Sequence, residues 1–210
     1  RISDSSIELT ARRNLATIPG INENNVRIAI DSYRREVLLT GEVPSEQIKV
    51  EIGRTIESMK DVNKVFNYLI VAETPKSQSH TVHENYLRSK INARLLTNRD
   101  IKSSQSKVIV RDRTAYVMGY LTPEQQTYIL DAIQATPGMA MAVTLTTLVS
   151  DSKAAVLPEA VDSAAPSDPY GGVASQPDVA EGDYALQEIY LPEANNAAPL
   201  NSAPVFEVAQ

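Results

Sequence analysis

The stretch KVIVRDRTAYVMGYLTPEQQ, residues 107–126, holds two runs with apolar side chains at every other position, joined by a short charged turn. Alternation of this kind is the mark of half-buried β-strands, and the turn between them predicts a hairpin. The second run reaches Gly119, and Thr122-Pro123-Glu124-Gln125 then fits a capping box with Pro at the first helical position. Nearly the same pattern stands earlier as RIAIDSYRREVLLTGEVPSEQ, residues 27–47. The fold therefore turns on a unit that is present twice.

A shift of 80 lays Ile7 on Leu87, Leu15 on Leu95, Ile28 on Val108 and Ile30 on Val110. After the hairpin a shift of 78 lays Gly41 on Gly119, Glu46-Gln47 on Glu124-Gln125, Ile52 on Leu130, Val65 on Val143 and Val71 on Val149. This numbering implies a hairpin turn two residues shorter in the second copy. Self-similarity at a fixed period is the signature of a duplication. Each copy reads helix, strand, strand, helix, strand. Ile7, Ala11 and Leu15 recur at helical spacing, as do Ile48, Ile52 and Ile56. In the second copy, Thr81-Val82-His83-Glu84 reads as a further capping box opening its first helix. The expected class is α+β: two tandem αββαβ units, each a three-stranded sheet with two helices on one face, followed by a disordered C-terminal tail. The expected domains are 1–73 and 80–149, with 74–79 as linker.

The tail, 150–210, is set apart by composition. Lys153 is its one basic residue against 10 acidic ones, and it holds seven of the 12 prolines, whereas the preceding residues carry 19 Lys+Arg against 16 Asp+Glu. Such a segment buries too little apolar surface to offset the entropy of ordering it, so disorder is expected. Two patches, DYALQEIYLPE at 183–193 and PVFEVAQ at 204–210, stand out as either short docking motifs or residual apolar residues of a linker, the second reading being favoured.

Composition also excludes some chemistry. The chain lacks Cys, so disulfides and thiolate metal sites are ruled out. No apolar run approaches the roughly 18 residues that span a bilayer. The start at Arg1 rather than Met leads us to expect that a leader or anchor segment precedes it. His80 and His83, with Glu84 adjacent, have a spacing that metal ligands use, but nothing nearby completes a site, and exposed residues of a helix start are the expectation. Without a nucleophile elbow, P-loop or dinucleotide glycine pattern we expect neither an enzyme nor a cofactor. The acidic tail opposes nucleic-acid binding.

The order of elements, with VLLTGEVPSEQ followed by DVNKVFNYLIV and YVMGYLTPEQQ followed by MAVTLTTLV, resembles the BON-domain family of bacterial envelope proteins. The resemblance covers 4–149. Asp61 stands where the family places Gly, the second copy has one extra residue around Pro137-Gly138 relative to the family pattern, and the acidic tail lies outside it. The resemblance implies a periplasmic, outer-membrane-associated protein related to the lipoprotein members, supporting outer-membrane integrity. It also implies that the first helix of the second copy binds anionic phospholipid of the phosphatidylglycerol kind, with an aromatic ring at Tyr86.

The residues of that helix can be read independently. Leu87, Ile91 and Leu95 make a core stripe, and nearly opposite lie Val82, Tyr86, Ser89, Ala93 and Leu96, bordered by Lys90 and Arg94 and, on the other flank, Arg88. An aromatic ring and small groups edged with cations suit a membrane interface; equally, the stripe is one that packs against another domain. The charge balance separates the copies: residues 76–149 hold nine basic and five acidic residues, residues 1–75 ten and 11. Carried over from the family, Tyr86 would insert, Lys90 and Arg94 would attract phosphate, and Leu87 and Ile91 would hold the helix to its sheet. The rival expectation is a soluble periplasmic adaptor or chaperone that meets envelope protein partners through the tail or the domain surfaces.

Overall fold

The computed structural model describes residues 3–102, 104–150 and 184–191. Its described residues divide into two compact units, 3–77 in the first and 78–150 with 184–191 in the second.

The first unit runs α1 (Asp4–Leu15), β1 (Arg27–Tyr33), β2 (Glu36–Val43), α2 (Glu46–Glu57) and β3 (Lys64–Val71). Its sheet has the order β1-β2-β3, with an antiparallel hairpin and β3 parallel to β2. The second unit repeats this with α3 (Gln78–Leu95), β4 (Ser106–Arg111), β5 (Thr114–Leu121), α4 (Pro123–Gln134) and β6 (Met141–Leu148). The two tandem αββαβ units of an α+β fold are thus present. In each, two helices and the sheet close on one core: Ile7, Ala11, Leu15, Ile52 and Ile56 against Ile30, Val37, Leu39 and Leu69, and Leu87, Ile91, Ile129 and Ile133 against Val108, Val117 and Leu121. The central strands β2 and β5 are buried along their whole length.

The second sheet departs from the three-stranded expectation. A fourth strand, β7 (Tyr184–Tyr190), pairs antiparallel with β6, giving the order β4-β5-β6-β7. It lies within the stretch that composition marks as disordered, and it coincides with the first of the two apolar patches. The reason is local: a short alternating segment finds a partner edge that average composition does not reveal. The second patch, 204–210, and the rest of the tail lie outside the described residues.

The register of the duplication is also corrected. Both hairpins have two-residue turns, Arg34-Arg35 and Asp112-Arg113, all four with positive φ (50°, 68°, 50° and 65°), the φ signature of a type I′ turn. Ile28 faces Gly41 and Ser106 faces Gly119, so the strands correspond at a shift of 78, and the two-residue difference falls in the loop before β4. A two-residue slip keeps every side chain on its face, so alternation alone does not detect it. A further residue is lost between Gly119 and the helix. The N-caps Ser45 and Thr122 correspond at a shift of 77, which places Ile52 on Ile129 and Lys64 on Met141 and leaves no extra residue at Pro137-Gly138.

Gly41 and Gly119 do stand at equivalent points, with φ of 121° and 153°. A Cβ there would lie 1.7 Å from the Arg27 carbonyl oxygen and 2.3 Å from that of Gln105. Glycine is thus required by both conformation and space. Capping follows expectation at α4, where the Thr122 hydroxyl accepts the Gln125 N–H at 3.2 Å and the Gln125 side chain accepts the Thr122 N–H at 2.9 Å.

Candidate lipid-facing helix

The capping box read at Thr81–Glu84 is not formed, because α3 begins earlier, at Gln78. Glu84 is instead turned inward and is 2% exposed. Its carboxylate accepts the Asp112 N–H at 2.7 Å and pairs with Arg111 at 3.0 Å, fastening α3 to the tip of the β4–β5 hairpin. Asp4, its counterpart in α1, does the same work, accepting the Arg34 and Arg35 N–H groups at 3.0 and 3.1 Å and the Ser32 hydroxyl at 2.6 Å. From the other side, Arg35 Nε donates to the Asp61 carbonyl at 2.9 Å and Arg113 Nε to that of Gly138 at 2.6 Å. Burial lowers the pKa of the Arg113 guanidinium, and neighbouring Asp112 opposes that shift.

With Glu84, Leu87, Ile91 and Leu95 inward, the 3.6-residue period leaves the opposite face of α3 to solvent. Val82, Tyr86, Ser89, Lys90, Ala93 and Arg94 are all exposed. The apolar members are well exposed, Val82 at 68%, Tyr86 at 53% and Leu96, just past the helix end, at 79%. The Tyr86 ring is stacked on His83 with centroids 6.2 Å apart, and the Lys90 ammonium lies 5.5 Å from its centre. That distance is within cation–π range. The Ser89 hydroxyl donates to the Asn85 carbonyl at 2.8 Å and so adds little polarity outward. His80 and His83 lie in the first turns of the same helix.

Three further cations become neighbours only in the fold. A cleft of about 350 Å³ beside α3 is lined by Arg88, Asn92, Leu96, Ile101, Lys102 and Lys107, among others, so residues from the helix, the following loop and β4 bring positive charge to one apolar-floored hollow. Lys102 and Lys107 carry no periodic signal tying them to α3, and only the packing of α3 beside β4 and the loop before it brings them there. Arg111, counted among the basic residues of this copy, is engaged by Glu84.

The outer membrane lipoprotein DolP of Haemophilus influenzae is 27% identical over 100 residues, 47% of this chain and 51% of that protein. The 21 kDa hemolysin of Actinobacillus pleuropneumoniae is 22% identical over 125 residues, 60% of this chain and 63% of that one. The chain therefore spans about half of one relative and less than two thirds of the other. Among solved structures, the C-terminal domain of CdsD, a structural protein of the type III secretion system of Chlamydia trachomatis, is matched over 70% of this chain and 100% of that one, at 13% identity and a TM-score of 0.28. The BON-domain family profile matches residues 3–73 and 83–140, one stretch in each unit and together more than half of the chain. The protein belongs to the BON-domain family and carries that domain twice in tandem.

Proposed function

We propose that the protein acts without catalysis in the bacterial envelope, where its second BON domain binds anionic phospholipid through the exposed face of α3. The observation carrying this reading is the row Val82, Tyr86, Ser89 and Ala93, exposed along one helix face and bordered by Lys90 and Arg94. A ring at headgroup depth with cations beside it matches an interfacial helix, and each cation near an anionic surface contributes about 1 kcal/mol. The basic hollow beside Arg88 and Lys102 adds to the same field. No helix among the described residues is long and apolar enough to cross a membrane, so contact through α3 is peripheral. Likeness to an outer membrane lipoprotein supports a periplasmic, outer-membrane-associated site of action and a part in outer-membrane integrity.

Co-sedimentation of the full chain with phosphatidylglycerol vesicles and with zwitterionic vesicles, at low and at physiological salt, tests the reading. We expect selective, salt-weakened binding to the anionic vesicles, reduced about 30-fold or more in a Tyr86→Ala/Lys90→Glu variant, since reversing one charge alone removes roughly 2 kcal/mol. Absence of binding by the folded parent turns the exposed row of α3 into a protein-contact surface and favours the adaptor reading.

A further inference from the structure

β7 differs from the other strands in how it joins its sheet. Elements α3 to β6 already form a unit matching α1 to β3 piece by piece, and among the described residues the first sheet has three strands. β7 enters from beyond 151–183 and pairs with the outer edge of β6, in register from Met141↔Tyr190 to Thr147↔Tyr184. That edge is the one opposite β4 and α3. The contact is specific. The Leu191 N–H donates to the Ala140 carbonyl at 3.0 Å. Leu191 is 7% exposed within the core of the domain, and Ile189 packs against the same cluster. Glu188 and Tyr190, the alternate residues, face solvent. This is the period-2 side-chain pattern of a strand laid over an apolar face.

The edge that β7 covers has none of the usual protection against pairing. Free edges are ordinarily defended by charge, Pro or bulges. The run MAVTLTTL of β6 has no charged residue, Pro or Gly, and is rich in the β-branched residues that strands favour. In the first domain, the corresponding strand KVFNYLIV starts with an exposed Lys64.

We propose that the outer edge of β6 is a strand-accepting site, and that residues 184–191 are its ligand, held in cis and replaceable by the same sequence presented in trans. The class of ligand is an extended peptide that supplies main-chain hydrogen bonds along β6 and sets two aliphatic side chains, in the positions of Ile189 and Leu191, into the domain core. Strand addition to an open edge draws affinity from the backbone ladder and specificity from the pockets under alternate side chains. Because the cis copy is tethered, it competes at a high effective concentration. The site is then closed at rest and opens to a stronger strand or to a second copy of the chain. The strand site lies at a different edge of the domain from the α3 face and does not depend on lipid binding.

The test is fluorescence anisotropy of a labelled peptide of residues 183–193, titrated with the full chain and with its Ile189→Asp/Leu191→Asp variant, whose carboxylates expel the cis strand from the core. We expect the variant to bind the peptide at least tenfold more tightly than the parent, and a peptide carrying the same two substitutions to bind neither. Leu191→Ala, which introduces no charge, is expected to give an intermediate gain. Circular dichroism on heating is expected to show the second domain still unfolding cooperatively in both variants. Loss of that transition in both would make β7 an integral strand and overturn the proposal. So would folded variants that gain no affinity, or equal binding of the substituted peptide.

Discussion

Glu84 of α3 and Asp112 of the β4–β5 turn are joined by a 2.7 Å hydrogen bond, the carboxylate accepting the backbone N–H, although 28 residues separate them in sequence. The acceptor is buried and also holds Arg111. Replacing it leaves a buried N–H and a guanidinium without their carboxylate, which costs about 2–4 kcal/mol. Glu84→Ala is therefore expected to lower the unfolding temperature of the second domain and leave that of the first nearly unchanged, as read by differential scanning calorimetry of the full chain. Asp4→Ala should shift the first domain in the same way.

Two glycines give a second expectation. At Gly41 and Gly119 an added methyl meets backbone rather than a flexible side chain, so the hairpin must part locally or the strand must shift. Gly41→Ala and Gly119→Ala are each expected to cost roughly 3 kcal/mol or more, combining an unfavourable φ with the clash. Chemical denaturation that found either variant as stable as the parent would contradict the close approach seen here.

The α3 face makes a prediction in the strengthening direction. Tyr86 stands 53% exposed in the middle of the row, and indole is the larger interfacial aromatic. Tyr86→Trp is expected to raise partitioning onto phosphatidylglycerol vesicles several-fold, and to blue-shift the emission of the introduced indole as vesicles are added. The chain has no Trp of its own, so the signal is unambiguous. An unshifted spectrum at saturating lipid would remove Tyr86 from the contact.

Charge gives a separate handle on the hollow beside α3. Lys102→Glu lies off the helix yet within the same basic cluster. It should weaken anionic-vesicle binding by roughly tenfold or more at low salt, with a smaller effect at physiological salt where screening is stronger. Co-sedimentation across the two salt conditions measures this, and a salt-independent loss would point to misfolding of the loop instead.

Much of this architecture is visible before folding, and the parts that are not have identifiable causes. Leu87, Ile91 and Leu95 declare their face because a helix repeats every 3.6 residues, and the outward row of Tyr86 and Ala93 follows by subtraction. The position of the length change between copies is hidden because strands repeat every two residues, so Ile28 sits as comfortably on Val108 as on its true counterpart Ser106. Glu84 is misread as a cap because a carboxylate near a helix start is ordinarily drawn to exposed N–H groups of its own helix. Here it serves a turn 28 residues away, and a tertiary contact of that kind has no local signature. β7 shows in the sequence as an apolar patch and not as a strand, for a statistical reason. A handful of alternating residues is diluted by the acidic, Pro-rich stretch around them, and their partner edge is defined only once β6 is in place. Lys102 and Lys107 join Arg88 for a similar reason, since the loop that carries the first has no period to extrapolate.

The doubly fastened hairpin tips have a practical corollary. The differences in loop length between the two BON domains, before β1 and β4 and between β2 or β5 and the following helix, fall at the end of the sheet remote from the tip. At the tip itself, where a helix carboxylate and a loop carbonyl grip the turn from two sides, neither copy has gained or lost a residue. Each domain thus has a pliant pole and a locked one. A grafted epitope or spectroscopic probe belongs at the exposed Asn22-Glu23-Asn24 of the loop before β1, whereas even one residue inserted between Arg34 and Arg35, or between Asp112 and Arg113, would pull apart the grip that ties the first helix of the domain to the loop before β3 or β6.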